Sequence, residues 1–210
     1  MGATESTVYF IDDDPAVLDA LTMLADVNGL RAKAFDSATK FLDEETIDEP
    51  GCIVVDLKMP DLTGLELQAE LHARGIELPV IVISGHVNVE SAVTAMRGGA
   101  IDVLTKPFDN SELLNRIRDC LQRDERRVAR QSQLRQDRVR VESLTPRERE
   151  VFDGLVIGLS GKQIAARMEI SYRTMEKFRA NVMRKMEAGS VADLVHTAVQ
   201  LDIVKNAEPD

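Results

Sequence analysis

Gly51-Cys52-Ile53-Val54-Val55-Asp56-Leu57-Lys58-Met59-Pro60 is the stretch on which the fold turns. Its apolar run is too short for a helix and has no polar alternation. A strand buried on both faces reads this way, and such strands belong to parallel sheets covered by helices on each side. The run stops in an acid. Three other short runs also end in polar residues: Val8-Tyr9-Phe10-Ile11 enters Asp12-Asp13-Asp14, Leu78-Pro79-Val80-Ile81-Val82-Ile83 enters Ser84-Gly85, and Ile101-Asp102-Val103-Leu104 enters Thr105-Lys106-Pro107. Arg31 to Phe35 is a fainter fifth strand.

Helical spacing fills the gaps. Val17, Leu18, Leu21, Leu24 and Ala25 recur on one face and stop at Asn28-Gly29. Lys40 to Asp43 suits a short helix, Leu65, Leu67 and Leu71 end before Gly75, and Val89, Val93 and Met96 end at Gly98-Gly99. Strands alternating with helices predict an α/β domain with a flavodoxin-like, five-stranded parallel sheet.

The charge divides the chain. Of its 210 residues, the first 120 hold 22 acids and 9 bases, whereas the last 90 hold 14 acids and 17 bases. The acidic half and the basic half face different partners, and only the second suits nucleic acid. Cys52 and Cys120 form no CxxC, so two buried free thiols are expected. No apolar run reaches the ~18 residues of a membrane span. No basic-then-apolar leader opens the sequence, so the cytoplasm is the expected compartment and no membrane partner is expected.

Ser111 to Ser143 contains neither Gly nor Pro, and Leu113, Leu114, Ile117 and Leu121 keep a helical face. One helix should therefore run out of the first domain as a polar linker. Beyond it, Thr145-Pro146-Arg147-Glu148 is a capping box with Pro at the first helical position, and Ser160-Gly161-Lys162-Gln163 is another. Ser171 and Ser190 precede further helical patterns. These signals predict a separate all-α domain of four helices. The expected boundaries are 1–120, 121–143 and 144–210.

Ligands of open parallel sheets bind beyond the carboxyl ends of the strands. Asp12-Asp13, Asp56, Ser84 and Lys106 all sit there. Packed carboxylates repel by about 4 kcal/mol per pair at ~4 Å and an effective dielectric of ~20. A hard divalent cation relieves this, and Mg²⁺ favours a few carboxylates with waters and phosphate oxygens. A hydroxyl and an ammonium alongside suit a phosphoryl group. The implied chemistry is acyl-phosphate formation on an aspartate. As an ordinary acidic loop, Asp12 to Asp14 would instead only cap a helix.

Asp56-Leu57-Lys58-Met59-Pro60 with Gly64 resembles the phosphorylation motif of response-regulator receivers. Asp12-Asp13 is similar to the family's acidic metal pair, Ser84 to its switch hydroxyl, and Lys106-Pro107-Phe108 to its lysine with a cis-proline. The resemblance covers residues 8 to about 120. It implies that Asp56 is phosphorylated by a sensor histidine kinase. It also implies Mg²⁺ on Asp13, Asp56 and the Lys58 carbonyl, with Asp12 acting largely through water. One position departs: Val103 stands where the family usually has an aromatic that swings inward on activation.

Leu144 to about Leu201 resembles the LuxR-type helix-turn-helix of the NarL/FixJ class. The matching runs are Leu144 to Val151, Gly158-Leu159-Ser160, Lys162 to Ala165, Ser171-Tyr172-Arg173-Thr174 and Asn181 to Met186. Arg173-Thr174 with Glu176, then Arg179 to Met183, is most similar to the FixJ-like branch, although Met175 and Phe178 replace the usual Val and His. Periodicity independently places Met175, Phe178, Val182 and Met186 in the core and Arg173, Glu176, Lys177, Ala180 and Arg184 on the opposite face. Residues 161–186 carry 7 bases and 2 acids. The resemblance implies that Glu176, Lys177 and Ala180 meet base edges and that Arg173, Arg184 and Lys162 complete the DNA contacts.

The expected function is a non-enzymatic transcription regulator that dimerises and binds promoter DNA when phosphorylated, with RNA polymerase as a further partner. Two alternatives stand beside it. One is a DNA-binding dimer indifferent to phosphorylation. The other rests on Ile11-Asp12-Asp13-Asp14, which is also similar to the nucleophile loop of haloacid-dehalogenase-like phosphatases. That reading lacks a late acidic pair and leaves residues 144–201 without a purpose.

Overall fold

The computed structural model describes residues 6–44, 47, 50–85 and 89–203. The chain divides into two compact units, Met1–Ala129 and Arg130–Asp210. The first contains β1 (Thr7–Ile11), α1 (Pro15–Val27), β2 (Arg31–Phe35), α2 (Ala38–Leu42), β3 (Gly51–Asp56), α3 (Gly64–Ala73), β4 (Val80–Ser84), α4 (Val89–Arg97) and β5 (Asp102–Thr105). All five strands pair in parallel in the order β2-β1-β3-β4-β5.

Because side chains alternate along a strand, each continuous apolar run feeds two cores. Tyr9, Ile11, Ile53, Val55, Val80 and Val82 pack with Phe41, Leu67, Leu71 and Ala95, on the side of α2, α3 and α4. Val8, Phe10, Cys52, Val54, Ile81 and Ile83 pack with Leu18, Leu21, Leu113 and Ile117, on the side of α1 and the helix after β5. The fourth strand starts at Val80 and not at Leu78. Pro79 has no N–H to donate to the ladder, although its carbonyl still accepts from Ile53 N at 2.9 Å.

The helix after β5, α5, runs without a break over Asn110–Glu142, as the missing Gly and Pro predict. Its Asp124 is 2% exposed. The carboxylate accepts from Gly51 N at 2.9 Å and from Arg127 Nε at 2.6 Å, and Arg127 Nη1 reaches Glu77 at 3.0 Å. This ties the helix to the amino-terminal end of β3.

The second unit contains α6 (Pro146–Val156), α7 (Gly161–Arg167), α8 (Tyr172–Lys185) and α9 (Val191–Gln200). Capping boxes start α6, α7 and α9, and Ser171 caps α8 through Thr174 N. Val151, Phe152, Leu155, Ile164, Met175, Val182, Leu194 and Ala198 form its core with Val141 from α5. Gly154 is required by packing: a methyl there would lie 2.8 Å from Ile164 Cγ1. Glu148 accepts from Lys185 Nζ at 2.6 Å, and the same ammonium donates to the Ser143 carbonyl at 2.9 Å.

Candidate acidic site and nucleic-acid interface

Register builds the acidic site. Ile11 aligns with Val55, Asp56 with Ile83, and Ser84 with Thr105. Asp12, Asp56, Ser84 and Lys106 therefore fall at neighbouring strand ends. Lys106 Nζ donates to Asp12 Oδ2 at 2.6 Å and to Asp56 Oδ1 at 2.7 Å. The other oxygens are also held: Asp56 Oδ2 accepts from Lys58 N at 2.6 Å, and Asp12 Oδ1 from Asp14 N at 3.0 Å. Asp12 and Asp56 are 2% and 8% exposed, Ser84 is buried and Asp13 is open to solvent. Asp14 alone takes the capping role considered for the triplet, accepting from Ala16 N at 2.9 Å.

Burial alone would pull the Lys106 ammonium down. Its hydrogen bonds and charge attraction to Asp12 and Asp56 win, and its pKa lies above the ordinary lysine value. The Lys106-Pro107 peptide is cis. Gly64 must be Gly, because a methyl group there would sit 2.7 Å from the Asp56 carbonyl oxygen. Asp61 ties the loop after Asp56 to the start of α2 by accepting from Thr39 N at 3.0 Å and Thr39 Oγ1 at 2.8 Å. Burial opposes its ionisation, but the bonds from Thr39, Leu62 and Ser37 hold its carboxyl down at about 2.

Among the described residues, no three His, Cys, Asp or Glu side chains form a ready-made metal cage. The donor set nevertheless fits Mg²⁺, which is commonly held by one or two carboxylates with waters and phosphate oxygens. Asp12 and Asp56 supply hard oxygens already gathered on one cation, and Asp13 adjoins them on the solvent side.

In the second unit, α8 buries Met175, Val182 and, just past its end, Met186, with Phe178 partly covered. Arg173, Lys177, Ala180 and Arg184 are exposed, as is Lys162 at the start of α7, and Glu176 is half-buried. Glu176 Oε1 lies 3.5 Å from Arg179 Nη1.

Residues 8–118 match the response regulator receiver domain, and residues 142–198 match the bacterial regulatory proteins of the luxR family. The transcriptional regulatory protein FixJ of Bradyrhizobium diazoefficiens is 40% identical over 97% of this chain and 99% of its own. The chain belongs to the FixJ-like response regulators. The response regulator protein TmoT of Ectopseudomonas mendocina is likewise 40% identical, over 96% of this chain and 91% of its own. The solved structure of the response regulator StyR matches with a TM-score of 0.83 and 38% identity, covering 93% of this chain and 99% of that one. Full-length FixJ from B. japonicum matches at 0.59 and 40%, covering 96% and 99%.

This response regulator is a phosphorylation-controlled transcription regulator, not an enzyme, and the phosphatase reading falls. Regulators of this type work with histidine kinases and bind DNA, and receiver domains bind Mg²⁺ at the phosphorylation site. No helix among its described residues is long and apolar enough to cross a membrane.

Sequence reasoning missed three features of this response regulator. The Asp124 clasp hides in a helix whose charges look solvated, and its only trace is the i,i+3 spacing to Arg127. The Arg179 contact to Glu176 needs the rotamers. Cys52 and Cys120 are remote in sequence yet share one core, where burial and the adjoining Cys120 thiol push Cys52 up.

Proposed function

We propose that Asp56 is the phosphoacceptor, that Asp12, Asp13, Asp56 and the Lys58 carbonyl hold Mg²⁺, and that Ser84 and Lys106 bind the phosphoryl oxygens. The supporting observation is the Lys106 ammonium bridging Asp12 and Asp56 at the carboxyl edge of the sheet. An Asp56 oxygen forms the new bond to phosphorus while the phosphorus–nitrogen bond of the kinase's phosphohistidine breaks, and the departing imidazole keeps the electron pair. Lys106 turns from the Asp56 oxygen it holds to a phosphoryl oxygen. Bound Mg²⁺ supplies positive charge to the transferring group.

Functionally the chain reads as a receiver over 1–120, a connector over 121–143 and a DNA-binding domain over 144–210. Its compartment is the cytoplasm. Phosphorylation promotes pairing through α4 and β5, about Val89 to Leu104. Val89, Val93 and Met96 there expose large apolar side chains, and an exposed patch of that kind fits a second copy. Val103 in place of an aromatic makes the switch leaky, with some dimer before phosphorylation. The dimer then places two α8 helices on promoter half-sites, with Glu176, Lys177 and Ala180 on base edges and Lys162, Arg173 and Arg184 on phosphates, and RNA polymerase joins it there.

Acetyl phosphate with Mg²⁺ labels the wild type, and Asp56→Asn abolishes the label. A variant that still takes one acid-labile phosphate refutes the site. Sedimentation with and without beryllofluoride shows a shift from monomer toward dimer, and an unchanged monomer in both refutes the pairing.

A further inference from the structure

We propose that Tyr172 is a DNA-binding residue, its phenol hydroxyl donating to a backbone phosphate at the flank of α8. The inference rests on the reading of α8 as the helix that enters the groove, and it adds a contact of a different chemical kind.

Tyr172 is the first residue of α8 and is 51% exposed, one of the few large aromatic or aliphatic side chains left in solvent. Its ring is not loose. A methyl group at Gly161 would come within 3.1 Å of Tyr172 Cε2 and within 3.4 Å of Glu176 Oε1. The ring edge therefore borders the space over Gly161 at the start of α7, which Met175 Cε fills first at 2.5 Å from that methyl position, beside exposed Lys162. Bordering that space along one edge restricts the ring while half of it faces solvent.

Helix geometry selects the flank over the groove floor. At about 100° per residue, Glu176, Lys177 and Ala180 spread about the centre of the outward face, with Arg173 and Arg184 toward its two ends, and Tyr172 lies roughly 90° round from that centre. Arg179 falls on the same side as Tyr172. That side is bounded by the start of α7 and Lys162. A helix laid in the major groove turns the middle of that face to base edges and its flanks and ends to the phosphate walls. A phenol hydroxyl placed there is an uncharged donor to phosphate. It strengthens binding on any sequence and releases no counterion, whereas a Lys or Arg contact contributes a slope of about 0.9 in log K against log salt.

The test uses the full-length protein and fluorescence anisotropy on two short duplexes of unrelated random sequence, from about 50 to about 200 mM salt. Tyr172→Phe keeps the ring beside Gly161 and removes only the hydroxyl. The expected result is affinity about three- to tenfold weaker on both duplexes, with the wild-type salt slope. Arg184→Ala, measured alongside, flattens the slope by about 0.9. Wild-type affinity in Tyr172→Phe beside a flattened slope in Arg184→Ala overturns the Tyr172 contact and leaves the α8 reading standing. A Tyr172→Phe loss confined to one duplex overturns it in favour of base reading. A wild-type slope in Arg184→Ala removes the α8 reading itself, and the inference with it.

Discussion

Replacing Lys106 with Met tests the electrostatics of the acidic site. Lys106 Nζ sits 2.6 Å from one carboxylate and 2.7 Å from another, and both carboxylates are almost fully buried. At an effective dielectric of ~20, each contact is worth about 6 kcal/mol of gross attraction. Desolvation of the three groups opposes most of that. Removing one partner of a buried ion pair costs about 3–5 kcal/mol. Lys106 is a quarter exposed, so water screens part of the loss. The expected destabilisation of the receiver is about 2–4 kcal/mol, or roughly 6–15 °C in Tm for a unit of this size. Mg²⁺ should restore most of it, because a divalent ion then neutralises Asp12 and Asp56 in place of the ammonium, and the stabilisation grows with occupancy. Thermal melts of wild type and Lys106→Met, each with a chelator and with Mg²⁺ in excess, read both effects. A variant that melts with the wild type in chelator, or whose Mg²⁺ dependence is no steeper, refutes the claim that the ammonium holds the two acids together.

Two further outcomes follow from contacts outside that site. Asp124→Ala strips the Gly51 amide of its buried acceptor and leaves Arg127 without that carboxylate, a loss of about 3–5 kcal/mol; hydrogen exchange at Gly51 should accelerate, and an unchanged rate refutes the clasp. Hydrogen bonds, from Lys185 first and then Thr145, hold the Glu148 carboxyl below its ordinary 4.5. Its contribution is therefore present above about pH 4.5 and lost as pH falls through the depressed value. Glu148→Gln should melt lower at neutral pH and converge with the wild type in acid, and parallel curves across that range refute the role.

The fold was legible because Cys52 to Val55 and Val80 to Ile83 are pure apolar runs, which only a sheet covered on both faces accommodates. Asp12, Asp56, Ser84 and Lys106 were legible for a related reason, since the first three directly end such a run, Lys106 follows the last strand, and parallel register brings the ends together. What stayed hidden depends on long-range geometry. Nothing local says that Asp124 turns inward at Gly51, because an acid among arginines on a helix usually faces water. The sequence places Tyr172 at the start of a helix but not its surroundings, because its ring borders Gly161, eleven positions earlier. The start of β4 at Val80 is the exception, a local effect of the missing Pro79 donor that hydropathy does not encode.

The acidic site draws on four strand ends from Asp12 to Lys106, and β5 must dock against β4 before the lysine can reach either acid. No shorter stretch of the chain carries the site. On the proposed assignment, a nascent polypeptide cannot assemble the complete acceptor site until its fifth strand has emerged and paired. On that assignment signal reception doubles as an inspection of folding, because the full set of groups that handles the phosphoryl exists only on a complete sheet.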